Sequence, residues 1–473
     1  MVVEALIVSA LPAVPFTSLA ASVLWSGQRR LDGENYLTGG YGLRLQLERH
    51  FTCQPLSALA HVWQPQRLAG VTVASERGIP FYAATQVFDL RPVARKFLAR
   101  VRTPHLASRY VERGWLLVTC SGSVGDAIIA YRPHEGAVIS HDLLRVVPEA
   151  PEMQGYLYGF LKSRIGMQMM RSSRYGSIVN HLEPEHLHDV PVPTVPDFFV
   201  AECAAATSRV FELRERAYDL TIEAETIFEE SVGHVPSAAG ELGFECRASD
   251  MWGGRRRLDA SFHNPRGAEI DAIIRRHKVV SLGEATERVF GVPRFKHIYA
   301  DHGVPYLDSE DLFKVNPEIV KFIPSVSERA RQTYFVRSGW VLMACSGQIY
   351  GLNGTSVLAG PWHENKVISN HVNRIVPRES IRSGYLQMAL GHPLLGRPLV
   401  LRLAFGSEVP EIAAGDLLTV PVVRLEDKAE MAIADRVEEA GQLRLSADTI
   451  EDELAASVDA LFQERIASEA VAV

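Results

Sequence analysis

Long apolar runs are missing from this 473-residue chain, and no stretch approaches the length that a membrane helix needs. Cysteines are sparse. Cys53, Cys120, Cys203, Cys246 and Cys345 form no Cys-x-x-Cys pair, which argues against a disulfide framework and fits a reducing cytosol. No Lys or Arg precedes Arg29, and Glu4 interrupts the apolar start, the reverse of a signal peptide, so the beginning reads as folded structure. No Gly-x-x-x-x-Gly-Lys-Ser/Thr loop occurs, so there is no P-loop motor. There is no Asn/Asp-Pro-Pro-Tyr/Phe motif beside a glycine-rich strand, hence no amino-methyltransferase site, and no carboxylate pair with lysine at nuclease spacing. Composition excludes little else, with 47% apolar and 22% charged residues, ordinary for a globular protein of more than one domain.

What the chain does have is a second copy of itself. Trp25–Asp32 (WSGQRRLD) returns as Trp252–Asp259 (WGGRRRLD), and Gly78–Phe81 as Gly303–Tyr306. Arg113–Gly122 (RGWLLVTCSG) returns as Ser338–Gly347 (SGWVLMACSG), and Arg145–Pro148 as Arg374–Pro377. Gly155–Leu157 matches Gly384–Leu386, Gly176–Ser177 matches Gly406–Ser407, and Leu187–Val192 matches Leu417–Val422. Offsets of 225–230 residues throughout exclude chance and short-period solenoids. Such a chain handles two equivalent things, or one target with two halves.

Charge follows the duplication. The chain carries −7 overall, yet residues 1–196 and 233–425 each sum to +4, while 197–232 sum to −6 and 426–473 to −9. Two mildly basic lobes alternate with two acidic segments. The acidic segments have helical periodicity. Phe199, Cys203, Ala206, Val210, Leu213, Ala217, Leu220, Ala224 and Ile227 step alternately by four and three, a heptad. Ile433, Val437, Ala440, Leu443, Ala447, Ile450, Leu454, Val458 and Leu461 repeat it with two slips. Alanines in the seam let two helix axes approach closely, so each helix is expected to pack on the other as a spacer of about 48 Å.

The lobes read as mixed α/β. Short β-type runs are expected at Ile79–Tyr82, Trp115–Thr119, Ala127–Tyr131, Leu143–Val147, Trp340–Ala344 and Val372–Val376, with helices near 153–171 and 381–391. The fold class is thus α/β (α+β): two tandem mixed domains separated by long antiparallel helices. Expected boundaries are 1–196 and 256–425 for the domains, 197–232 and 426–466 for the helices, 233–255 for a linker and 467–473 for a tail.

The order of elements resembles the specificity subunit of type I restriction–modification systems. It runs from a basic Arg-Leu-Asp lead to a Gly-Trp-Leu-Leu-Val strand, a Ser-Gly-Ser-Val-Gly turn, a Gly-Ser turn, Leu-x-x-Val-Pro-Val-Pro and a long helix, then starts again. The resemblance covers about Trp25 to Ile466 and departs at two places. The helix starts Asp197–Glu202 and Arg424–Lys428 lack the family's Glu-Gln, and the extension before Trp25 is long. It implies a non-catalytic subunit without cofactor or metal, whose two target-recognition domains read a bipartite double-stranded DNA sequence. The helices would set the gap, placing the blocks near one duplex turn apart, about 34 Å. Implied partners are DNA methyltransferase subunits, two per chain, and in many systems a restriction/translocase subunit. Other readings keep the lobes and change the job: a targeting subunit of another anti-phage complex with a non-methylating effector, or a protein-binding scaffold.

DNA-contacting candidates come from three places. Arg91, Arg95, Lys96, Arg100, Arg102 and Arg109 lie in a stretch with no acid between Asp89 and Glu112, suited to phosphates, and Lys314, Lys321, Arg329 and Arg331 form its counterpart. The turns at Ser121 and Ser123, and at Ser346 and Gln348, offer N–H groups and hydroxyls, or are plain hairpin turns. Arg171, Arg174 and Tyr175, with Arg402 in the second copy, could reach base edges or merely close a helix. The spacer seam is expected to use Val210, Leu213, Leu220, Ile227, Val437, Leu443, Ile450 and Leu454. The histidines of His181–His188 lack a second cluster in the other copy, and Cys120 and Cys345 read as duplicated buried small residues, not nucleophiles.

Overall fold

The computed structural model describes Ala21 and residues 33–37, 39–67, 70–175, 180–235, 243–252 and 256–471. The Trp25 lead and the Gly176–Ser177 turn lie outside them. The chain divides into two compact units, one of residues 1–71, 100–208 and 450–473, the other of 72–99 and 209–449.

The first unit is built on a four-stranded antiparallel sheet in the order Ala60–Trp63, Leu143–Pro148, Leu116–Ser121, Ser123–Ile129. The two central strands are largely apolar and buried from end to end at 116–120 and 143–146, so both faces are covered. A short pair, Cys53–Pro55 with Pro191–Pro193, lies antiparallel. The expected 153–171 helix is two helices, α1 (Gln154–Lys162) and α2 (Arg164–Ser172). Ser163 breaks them with extended backbone, its Oγ accepting from Gly166 N at 3.0 Å. A side chain at Gly166 would meet Phe160 O at 2.0 Å, so only glycine allows the chain to double back there. The long helix α3 (Asp197–Val232) begins in this unit with Phe199 and Cys203 buried.

The second unit repeats the first. Thr286–Phe290, Val372–Pro377, Val341–Ala344 and Ser356–Leu358 form a sheet of the same order, and Lys278–Ser281 pairs antiparallel with Pro421–Arg424. Helices α4 (Ser383–Gly391) and α5 (Gly396–Leu401) follow, then α6 (Asp427–Val471). The core gathers Ile270, Leu282, Val341, Ile375, Tyr385 and Ile433.

Repeated residues make repeated contacts. Tyr156 donates its hydroxyl to Pro193 O, and Tyr385 to Val423 O, each at 2.6 Å. The preceding glycines let these helices lie against the long ones. A Cβ at Gly155 would stand 2.5 Å from Cys203 O on α3, and at Gly384 2.7 Å from Ala434 O on α6. Arg145 and Arg374 are fully buried on equivalent strands. Arg145 donates to the carbonyls of Ile139, Ser140 and Leu143 at 2.5–3.0 Å, and Arg374 to those of Ile368, Ser369 and Val372 at 2.5–3.0 Å.

Within the second unit α3 and α6 run antiparallel. Arg214 pairs with Asp448 at 3.0 Å, Arg444 donates to Thr221 at 2.7 Å and Arg436 pairs with Glu223 at 2.9 Å, around a seam of Ala217, Leu220, Ala440 and Leu443. Val210, Leu213, Leu220 and Leu454 are buried, and Val437, Leu443 and Ile450 half-buried. Ile227 and Leu461 are likewise half-buried, while their neighbours Phe228 and Phe462 are fully buried. Beyond Ala224 the helix leaves the heptad for 224, 228, 232, following the 3.6-residue turn because that end packs on the core of a lobe.

In the first unit α6 caps α2 from outside. Asp459 accepts from Arg164 N at 2.9 Å and Ile165 N at 3.1 Å, a carboxylate on free N–H groups at the positive end of a helix. Asp459→Ala is expected to cost that unit about 1–2 kcal/mol in urea unfolding. A loss of a few tenths or less would contradict this cap.

Candidate nucleic-acid interface

The structure separates the candidate cations by what already holds them. Arg91 is tied to α3, Nε and Nη2 donating to both carboxylate oxygens of Glu225 at 3.0 and 2.8 Å, and Arg95 pairs with Asp89 at 3.4 Å. Arg109 requires correction as a phosphate contact. It is 1% exposed and donates to Pro104 O at 3.1 Å and Gln66 O at 2.9 Å, so it holds a loop together from inside. Lys96, Arg100 and Arg102 are exposed.

The first hairpin turn and the loop after α2 converge. Ser121 and Tyr175 each form a bridge with His181, and Gly122 N donates to Asn180 O at 3.1 Å. Ser123 Oγ donates to Asp126 at 2.7 Å, and Arg171 reaches the same carboxylate at 2.9 Å and Val124 O at 3.2 Å. Arg171 therefore clamps the hairpin to the end of α2. Arg174 is half-buried beside it. Tyr175 is exposed, its hydroxyl bonded to Glu183 and its ring packed on His181 and His186. His186 Nδ1 accepts from Glu183 N and His188 Nε2 meets Val62 O, so these histidines serve the turn's own structure. The tight turn at Gly122 (φ 77°) is a hairpin whose N–H is engaged.

The second unit repeats this arrangement with other side chains. Ser346 and Phe405 bridge to Glu411, Ser346 Oγ lies 2.8 Å from His371 Nδ1, and Gln348 donates to Glu408 O at 2.9 Å. Arg402 is half-buried against an aromatic ring. Its guanidinium lies over the Phe262 ring at 5.0 Å, and burial lowers its basicity. Cys120 and Cys345 occupy equivalent strand ends, where burial pushes their thiols up to about 12 and about 11, keeping both protonated.

A further cationic surface was overlooked by sequence patterning. Residues 291–299 follow the Thr286–Phe290 strand with Arg294, Lys296 and Ile298 outward and Phe295 and His297 inward. The rings form a ladder of edge-to-face and tilted contacts: Phe295 on His297 at 4.4 Å and on Tyr334 at 4.5 Å, His297 on Tyr306 at 4.8 Å, and the exposed Tyr299 on Tyr306 at 5.7 Å. Burial lowers the basicity of His297, so it serves the ladder as a neutral ring. Lys321 joins it over Tyr299 at 5.7 Å while paired with Asp308, and Arg288 covers Phe290 at 3.9 Å. Arg331 lies exposed over Phe335, Arg329 is exposed, and Lys314 pairs with Glu310 at 2.9 Å. The period-2 alternation of Arg294, Lys296 and Ile298 was the available signal. Rings pack beneath this segment while the cations project, an arrangement that can engage a phosphate backbone.

No protein-family model and no curated protein sequence matches the chain. Among solved structures, it is similar to the type I restriction–modification S subunit from M. genitalium, at 12% identity and TM-score 0.28, over 88% of this chain and 95% of that one. It is also similar to the HsdS subunit from Thermoanaerobacter tengcongensis, at 15% identity and TM-score 0.27, over 88% and 96%. The type IIG restriction endonuclease BpuSI aligns at 12% identity and TM-score 0.27, over 37% of this chain and 28% of that one. TM-scores this low lie well below the level at which overall folds coincide. Among the described residues no helix is long and apolar enough to cross a membrane.

Proposed function

We propose that this chain is the DNA-specificity subunit of a type I restriction–modification complex, working in the reducing cytosol. The observation that carries the reading is duplication at every level. Two sheets share one strand order, two buried arginines make the same three bonds, and each lobe runs into a long helix. Residues 1–196 and 256–425 act as target-recognition domains, each reading half of a split site. Helices 197–232 and 426–466 hold them apart and supply the surface for two methyltransferase subunits, with a restriction/translocase subunit joining the assembly. The chain itself performs no catalysis. Equivalent scaffolds carrying unlike side chains, such as Arg171 against Leu401 or Ser123 against Gln348, suit two halves that read different bases.

The test is co-purification from the native operon with subunits identified by mass spectrometry. Recovery of a methyltransferase near two copies per chain supports the reading, and recovery of a nuclease or ATPase alone opposes it. The surface at Arg294 and Lys296 adds a finer expectation. In the assembled complex, Arg294→Ala with Lys296→Ala should weaken binding to all sequences alike and lower the slope of log K against log salt by about 2. An unchanged slope removes these residues from the interface.

A further inference from the structure

The second unit also holds a pocket beside its long helices. A cavity of about 740 Å³ is lined by the loop after Asp89, by Phe313, Leu352, Trp362 and Met388, and by the facing sides of α3 and α6. That volume lies within the range of small-molecule sites, and its walls have their composition, mostly apolar with a few placed polar groups. Most of its charges are already matched. Glu225 holds Arg91 at 2.8 Å, Asp448 holds Arg214 at 3.0 Å, Glu438 holds Arg382, and Lys314 holds Glu310 at 2.9 Å.

Arg397 on α5 is the exception. Its Nη2 donates to Gly351 O at 2.8 Å and Asn353 O at 3.0 Å, while its buried Nε has no hydrogen-bond partner and no carboxylate among the described residues pairs with it. A second cation, Arg95, stands close enough to repel it. Arg95 has Asp89 at 3.4 Å, but burial pushes that carboxyl up to about 7, so its countercharge is incomplete at neutral pH. The chamber therefore combines apolar walls with a guanidinium lacking an anion, and desolvated cations of this kind favour a charge-assisted partner.

We propose that this cavity is a binding site for a small amphipathic carboxylate, its carboxylate on Arg397 and its apolar body between Phe313, Trp362 and Met388. The site is independent of the DNA reading, and its test does not require DNA or partner subunits.

The probe is cis-parinaric acid, whose fluorescence rises in apolar surroundings, titrated into the full-length chain beside its methyl ester. Saturable binding at one site per chain is expected, with the ester at least about tenfold weaker because it offers no charge to Arg397. Arg397→Met should remove the acid's advantage and leave the ester unchanged. Since Arg397 also braces the 351–353 turn, a second variant guards against simple unfolding. Gly441 lines the cavity from α6, and no atom lies within 4 Å of the Cβ it lacks. Gly441→Phe should take up part of the space and weaken binding of both probes, with Tm unchanged or higher because a helical glycine is removed. Equal affinity for acid and ester, absence of saturable binding, or affinities that Gly441→Phe leaves unchanged would each overturn the proposal.

Discussion

Arg145→Met and Arg374→Met are expected to destabilise the units that carry them by about 3 kcal/mol or more each. Each guanidinium is the hydrogen-bond partner of three carbonyls at the corner between a short strand and a sheet strand, where water has no access. Removing it leaves those carbonyls facing an apolar side chain, at roughly 1–3 kcal/mol per unsatisfied group. One contribution has the opposite sign. Both arginines are buried without an acid partner among the described residues, and burial lowers their pKa to about 10, so deletion also relieves a desolvated charge. Three carbonyls against one charge leave a net loss. Lysine should rescue poorly, since an ammonium cannot present a planar fork to three acceptors. Urea unfolding followed for each unit measures this. A change within about 0.5 kcal/mol for either variant would mean the arginine is a passenger of the duplication.

Removing one heptad from each long helix is expected to shorten the unread gap of the DNA target by about three base pairs. Seven helical residues span about 10 Å, and successive base pairs rise about 3.4 Å. Deleting 214–220 together with 442–448 removes facing segments of the antiparallel pair, since Arg214 lies opposite Asp448 and Leu220 beside Ala440. The bases read on each side should not change, because the residues of the lobes are untouched. The readout is the methylation motif in cells carrying the shortened chain. An unchanged gap would contradict the ruler role of the helices.

Much of this architecture is legible in the sequence because the duplication supplies an internal comparison. The strands expected at Trp115–Thr119 and Leu143–Val147 appear at Leu116–Ser121 and Leu143–Pro148, and the helix expected near 381–391 at Ser383–Gly391. The Gly-Tyr-Leu repeat was visible, but its cause is tertiary: close helix contacts at Cys203 and Ala434 that no local pattern encodes. Charge was the poorest guide. Arg109 and Arg145 look alike in sequence to exposed arginines, yet both are buried on carbonyls of distant or turned backbone. Arg91 and Arg171 sit in basic stretches, but acids remote in sequence, Glu225 and Asp126, engage them. The surface at Arg294 and Lys296 was missed for the opposite reason. Its aromatic support comes from Tyr306 and Tyr334, which only the fold brings beneath it.

The most direct test of the account is the methylome of cells that carry the native operon, compared with cells from which this chain alone is deleted. The account predicts a bipartite methylated motif, two short blocks separated by a fixed run of unread base pairs, that disappears with the chain. A motif in one contiguous block, or a methylome indifferent to the deletion, would contradict it.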